Sequence, residues 1–266
     1  MEQGFERSTG VRAAGDGRWE ATLDRGWWVA RGPNGGYLAA IVLRALSAAV
    51  ADPARPPRSL TLHYLAPPEE GEIEIAARVE RSGRSLTSAS ARVTQGERKV
   101  ALALAAFSGD WPARHDFTAL SPPLAADPES SPPPRRRDGR PPVFRRWQFR
   151  SPLGPPPLTG GDEALSGGWM RLDPPRIADE FVVAAMTDAW YPAVFGVLSE
   201  TTGLPTVDLT IHFRVPLPLE TATSEDWYLT RFTSGASAGG FVEEDGEIWS
   251  AGGVLLAQSR QLALVL

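Results

Sequence analysis

One motif occurs twice in this chain. Thr61-Leu62-His63-Tyr64-Leu65-Ala66-Pro67-Pro68 returns 149 positions later as Thr210-Ile211-His212-Phe213-Arg214-Val215-Pro216-Leu217-Pro218. Each copy follows a long apolar, helix-like run and precedes three strand-like segments. The separation is too long for a solenoid period and points to a duplicated domain. Each half would hold roughly 100 residues, an ordinary domain size. A seam between two such halves is a natural place for a ligand pocket. Differences between the copies are therefore where chemistry is to be sought.

Bulk properties narrow the field. A formal net charge of −5 gives no support for nucleic-acid binding, which needs a basic face. The basic run Arg135-Arg136-Arg137 lies in a proline-rich stretch and reads as a solvated linker feature. No apolar run reaches the ~18 residues of a membrane span, and no basic-then-apolar leader opens the chain, so the cytoplasm is the expected compartment. The absence of cysteine excludes disulfides and thiol chemistry. The three histidines, His63, His115 and His212, have no metal-ligand spacing, so no metal site is expected.

The first half opens with a strand around Arg18–Leu23. Gly32-Pro33-Asn34-Gly35-Gly36 then leads into a helix from Tyr37 that is apolar nearly all round and must be buried. Asn34 is the expected N-cap. Gly35 and Gly36 leave the first-turn N–H groups open to close approach by a ligand. A side chain at Gly36 is expected to block that approach with little cost to folding. Strands are predicted near 58–66, 72–81, 84–95 and 98–107. Thirteen of the 25 prolines lie in 112–157, too many for sheet or helix interior. The predicted division is 1–110 for the first copy, 111–142 for a proline-rich connector and 143–266 for the second copy, with 143–149 already its first strand.

In the second copy Gly168–Leu172 reads as a strand, and Asp179 caps a helix expected to run from Glu180 to about Glu200. Strands follow near 205–215, 226–234, 238–245 and 247–265, the last broken near Gly252-Gly253. One buried helix and an antiparallel meander per half describe an α+β hotdog, a sheet curled round a helix, and the whole chain a double hotdog.

Three polar residues of the second copy stand out. Asp188 falls on the apolar side of its predicted helix, with Phe181, Ala184, Ala185 and Phe195. A carboxylate there must be hydrogen-bonded or have a shifted pKa. Pro192 lacks the N–H that would bond the Asp188 carbonyl. Thr206 opens an alternating strand in which Val207, Leu209, Ile211, Phe213 and Val215 face inward and the polar residues outward. Gln261 shares a face with Leu255, Ala257, Ser259, Ala263 and Val265, where a buried amide needs partners. Each alone also fits a structural role.

Taken together, these residues resemble the acyl-CoA thioesterase II, or TesB-like, family of double-hotdog proteins, over most of the chain apart from the connector. The resemblance implies that Asp188, Thr206 in Thr206-Val207-Asp208 and Gln261 in Ser259-Arg260-Gln261 hold the attacking water, Asp188 being the base. Gly35 and Gly36 match the family's helix start, while Asn34 before them departs from its best-studied members and looks like an actinobacterial-style branch; all three are implied to bind substrate, the glycine amides polarising its carbonyl. Acyl-CoA is the implied substrate and no cofactor is required. Hotdog proteins often pair sheet to sheet, so a homodimer is one expectation. A non-catalytic acyl-thioester-binding protein is the main alternative. A dehydratase is disfavoured, because neither helix carries the histidine that chemistry uses and His63 and His212 lie on strands.

Overall fold

The computed structural model describes residues 4–112, 115–131 and 139–266. Arg135–Arg137 lie outside them. The first half contains α1 (Phe5–Thr9), β1 (Arg12–Gly15), β2 (Arg18–Leu23), α2 (Gly35–Val50), β3 (Pro57–Tyr64), β4 (Gly71–Ser82), β5 (Leu86–Gln95) and β6 (Arg98–Ser108). The second contains β7 (Trp147–Arg150), β8 (Leu165–Leu172), α3 (Glu180–Met186), β9 (Thr206–Phe213), β10 (Tyr228–Thr233), β11 (Ser237–Ala238), β12 (Phe241–Ser250) and β13 (Leu255–Leu264).

All strands join one antiparallel sheet in the order β1-β2-β4-β5-β6-β3-β9-β13-β12-β10-β8-β7, with β11 paired to β12. Read outward from the β3–β9 junction, the two directions are copies of each other. At that junction Thr61 lies opposite Thr210, with their hydroxyl oxygens 3.0 Å apart. These two residues are equivalent in the repeat, so a local two-fold axis passes between them. The duplicated motif is thus itself the seam, and the double hotdog is the fold.

The sheet wraps α2, whose residues Gly36 to Leu43 are all buried, as an all-round apolar helix requires. Asn34 caps it, its Oδ1 accepting from the Tyr37 amide at 3.0 Å. Tyr37 stacks on Trp27 at 4.9 Å between ring centroids and donates to the Ser8 carbonyl, so α1 closes the open end of this core. Among the described residues no helix is long and apolar enough to cross a membrane.

The second half departs from expectation in three places. Its helix ends at Met186 rather than near Glu200, with only a 3-10 turn at Ala193–Gly196 beyond it. Pro192 explains the stop, since it disfavours helix in the residue before it and offers no N–H to the turn below. Residues Pro142–Arg145 form another 3-10 turn, so the strand predicted from 143 starts at Trp147. The pair predicted at 238–245 and 247–265 is a hairpin of Phe241–Ser250 and Leu255–Leu264, turning through Gly252-Gly253. Gly246 does not interrupt β12. A Cβ there would collide with the Ser259 hydroxyl and the Phe232 ring, so glycine lets these groups approach the strand.

Candidate active site

The start of α2 meets the end of α3. Two N–H groups in the first turn of α2 lack helical partners, and the Asp188 carboxylate takes them. Its Oδ2 accepts from the Gly35 amide at 2.8 Å, the Gly36 amide at 3.2 Å and the Asn34 side-chain amide at 2.8 Å. Asn34 thus caps its own helix through Oδ1 and binds the carboxylate through Nδ2. Its Nδ2 also donates to the Asp188 carbonyl. That carbonyl is the one Pro192 leaves without a helical donor, so the helix break supplies the acceptor that Asn34 uses. Asp188 consequently sits just beyond α3, not on it.

Close approach is what Gly36 provides. A Cβ there would come 2.6 Å from the Ala185 carbonyl oxygen and 3.1 Å from that of Ala184. Both are backbone atoms of α3 and have little freedom to retreat. The expectation that a side chain at Gly36 would cost little folding is therefore corrected. The glycine is a packing requirement of the helix–helix contact.

Burial drives the Asp188 carboxyl from its ordinary 3.8 up to about 6. The Gly36 and Gly35 amides and the Gln261 side chain pull in the opposite direction, but not far enough to cancel it. Oδ1 takes no part in the hydrogen bonds to the helix start, which all fall on Oδ2. Tyr64 stands on the other side, its hydroxyl donating to the Gly35 carbonyl at 2.8 Å. Burial first, and then the Asp188 charge, hold the Tyr64 phenol well above its ordinary range.

Thr206 and Gln261 come together. The Thr206 hydroxyl donates to Gln261 Oε1 at 3.2 Å. Strict alternation predicts Thr206 on the outer face, and a β-bulge corrects that prediction. Leu262 pairs with Asp208 but Ala263 pairs with Thr206, so Val207 is skipped and Thr206 shares the inward face of Gln261. Asp188 makes no hydrogen bond to Thr206, and Gln261 reaches it closely enough to favour its charged form.

Two residues of the cluster were missed in the sequence. Tyr64 is one, and its signal was the Tyr64-to-Phe213 difference between the motif copies. Glu244 is the other. It is buried on β12 opposite Gln261, accepting from Gln261 Nε2 at 2.7 Å and from the Ala193 amide at 2.5 Å. Strand parity would have found it, since Val242, Glu244, Gly246 and Ile248 share the buried face. Breaking β12 at Gly246 hid that parity. His63 and His212 are exposed and take no part.

Two clefts open elsewhere on the surface. One is lined by Leu124, Leu153, Arg231 and Glu247, the other by Arg58, Leu86, Asp110 and Trp111. Neither touches the Asp188 cluster, and neither has its chemistry.

The sequence matches the family models for the acyl-CoA thioesterase N-terminal domain over residues 24–108 and C-terminal domain over residues 122–265. No curated protein matches it. Among solved structures, a hot dog fold protein of unknown function from Alicyclobacillus acidocaldarius is similar, at 25% identity and a TM-score of 0.88, covering 98% of this chain and 97% of its own. A candidate thioesterase II from Thermobifida fusca has the same identity and coverage with a TM-score of 0.84. The acyl-CoA thioesterase II TesB2 of Mycobacterium marinum shares the fold at 18% identity and a TM-score of 0.76, with 98% of each chain covered.

Proposed function

The chain belongs to the acyl-CoA thioesterase family of thioester hydrolases, and on that premise we propose that it hydrolyses acyl-CoA to the free acid and CoA, with Asp188 as the base. The observation that carries this reading is the environment of Asp188. Its carboxylate is desolvated, gripped on one oxygen by donors of the other half, and held at about 6. A base with its pKa near the working pH is deprotonated at neutrality and still able to take a proton.

The chain has no cysteine thiol, and we assign the attack to a water held by Asp188, Thr206 and Gln261 rather than to a covalent nucleophile. Asp188 Oδ1, whose sister oxygen is saturated by the helix start, takes a proton from water as the oxygen attacks the thioester carbonyl. The tetrahedral intermediate collapses with cleavage of the C–S bond. The proton on Asp188 passes to the departing thiolate, which leaves CoA as the free thiol. Thr206 and Gln261 orient the water, and the second N–H of the Gln261 amide stabilises the developing oxyanion. The Gly35 and Gly36 amides serve the base in this scheme. Their role in substrate binding is to shape the wall of the site rather than to polarise the carbonyl.

A thiol-release assay across saturated acyl-CoA substrates from acetyl to palmitoyl tests the activity. A thiol-reactive chromogen reads only released CoA, since the protein has no thiol of its own. Turnover of at least one chain length is expected. Tight binding without release of thiol across the whole series would leave the acyl-CoA-binding alternative in its place.

A further inference from the structure

We infer that Glu244 is a positioning residue of the hydrolytic site: its carboxylate fixes the Gln261 amide with Nε2 turned to the acid and Oε1 turned to Thr206. The inference rests on the assignment of Asp188, Thr206 and Gln261 proposed above.

A glutamine amide is nearly symmetric in shape but not in chemistry, with a donor on one side and an acceptor on the other. Thr206 cannot decide between the two orientations, because a hydroxyl donates or accepts equally well. Glu244 can. Its Oε1 accepts from Gln261 Nε2 at 2.7 Å, and a flipped amide would set two acceptors against each other. The acid is itself held in place. It lies directly across the β12–β13 pair from Gln261, and the Ala193 amide grips its other oxygen. Both contacts are donors to Glu244, so the arrangement suits the ionised form.

A merely structural role would be to cap the 3-10 turn at Ala193. The first half shows that the sheet itself does not need an acid here. Ala89 occupies the equivalent place on β5, fully buried, opposite Ala105 on β6. A buried carboxyl is a costly filler for a position where alanine packs. Burial raises Glu244 to about 7, Asp188 and its strand neighbour Glu243 push the same way, and the Ala193 amide and Gln261 oppose them. Asp188 and Glu244 thus stand on either side of one amide, each with its carboxyl raised by burial.

The test is Glu244→Gln, assayed by thiol release on the most active acyl-CoA, with and without Gln261→Ala. Positioning predicts that kcat falls at least about tenfold, short of the ~10²–10³ lost with an oxyanion donor itself, and that KM is unchanged. In the Gln261→Ala background the same substitution should do nothing further, because the residue it acts through is gone. The acid limb of the kcat–pH profile should lose one of its two ionisations. Unchanged kcat and profile with a lowered melting temperature would reduce Glu244 to a cap and overturn the inference. Should Glu244→Gln not fold, Glu244→Ala decides by the same split between kcat and KM: a lowered kcat at unchanged KM that disappears in the Gln261→Ala background supports the inference, and an unchanged kcat overturns it. Asp188→Asn assayed alongside separates the two readings. If it is inactive while Glu244→Gln is normal, only the inference fails; if it is fully active, the assignment of the base fails.

Discussion

The two halves of the sheet are built alike and equipped differently. Register carries each residue of the second-half cluster onto a first-half counterpart. Gln261 maps onto Ala105, Glu244 onto Ala89 and Thr206 onto Pro57, and even the bulge is repeated, with Arg58 skipped as Val207 is. Counted from the helix caps Asn34 and Asp179, Asp188 corresponds to Leu43, which is fully buried. The first half therefore keeps an unbroken helix and an apolar interior where the second breaks its helix at an acid and lines the sheet with polar groups. In one pair the asymmetry runs the other way, since Tyr64 has its hydroxyl and Phe213 does not. The first half supplies a rigid helix start that holds a charge; the second supplies the charge and the groups around it.

The comparison can be broken most severely where the halves touch. Gly36→Val drives side-chain atoms into the Ala184 and Ala185 carbonyls, which a packed interior cannot absorb. The expected outcome is loss of cooperative unfolding or a large fall in melting temperature, not a soluble and merely inactive enzyme. A well-folded Gly36→Val protein would show that the helix contact is looser than described.

Exchanging one polar position for its counterpart is the next largest change. Gln261→Ala makes the second half resemble the first and should lower kcat by about 10²-fold, the size of a lost oxyanion donor. The reciprocal Ala105→Gln should leave kcat alone but destabilise the fold by ~1–3 kcal/mol, because a buried amide is introduced without partners. Chemical denaturation and steady-state kinetics on both variants read the two effects. Equal kinetic losses would mean that the halves are not functionally distinct.

The charge itself has a stability signature. A carboxyl raised from 3.8 to about 6 binds its proton more tightly in the folded chain than in the unfolded one. Stability is therefore lost as pH rises through that window, by up to about 3 kcal/mol above it, and recovered below 3.8. Asp188→Asn removes this penalty while its carbonyl oxygen can still take the Gly35 and Gly36 amides. Its melting temperature should exceed that of the wild type at pH 7 and converge with it towards pH 4. A gap that does not vary with pH would contradict the shifted pKa.

The smallest change is Tyr64→Phe, which gives the first motif the residue of the second. One hydrogen bond to the Gly35 carbonyl is lost, at a cost of ~1 kcal/mol. A modest fall in melting temperature and a few-fold change in kcat are expected, and larger losses would give Tyr64 a direct part in the chemistry.

The duplication, the strands β3 to β6 of the first half, its buried helix and the Asn34 cap were legible because each is written in local periodicity or in one capping residue. The site was legible by residue type but not by placement. Thr206 had the wrong face by alternation, since a bulge depends on the partner strand. The end of α3 was announced by Pro192, but the use of the freed Asp188 carbonyl by Asn34, 154 residues away, is purely tertiary. Glu244 was hidden among acidic neighbours on β12, where only its parity marks it as inward.

The central claim is that the charge on Asp188 does the work for which the first half has no equivalent. It is tested most directly by kcat for Asp188→Asn, measured with acyl-CoA affinity on the same preparation. Asparagine keeps the size and the helix-start contacts while removing the ability to take a proton. The account predicts kcat lower by at least ~10²-fold, with affinity retained. Wild-type turnover in Asp188→Asn would contradict it.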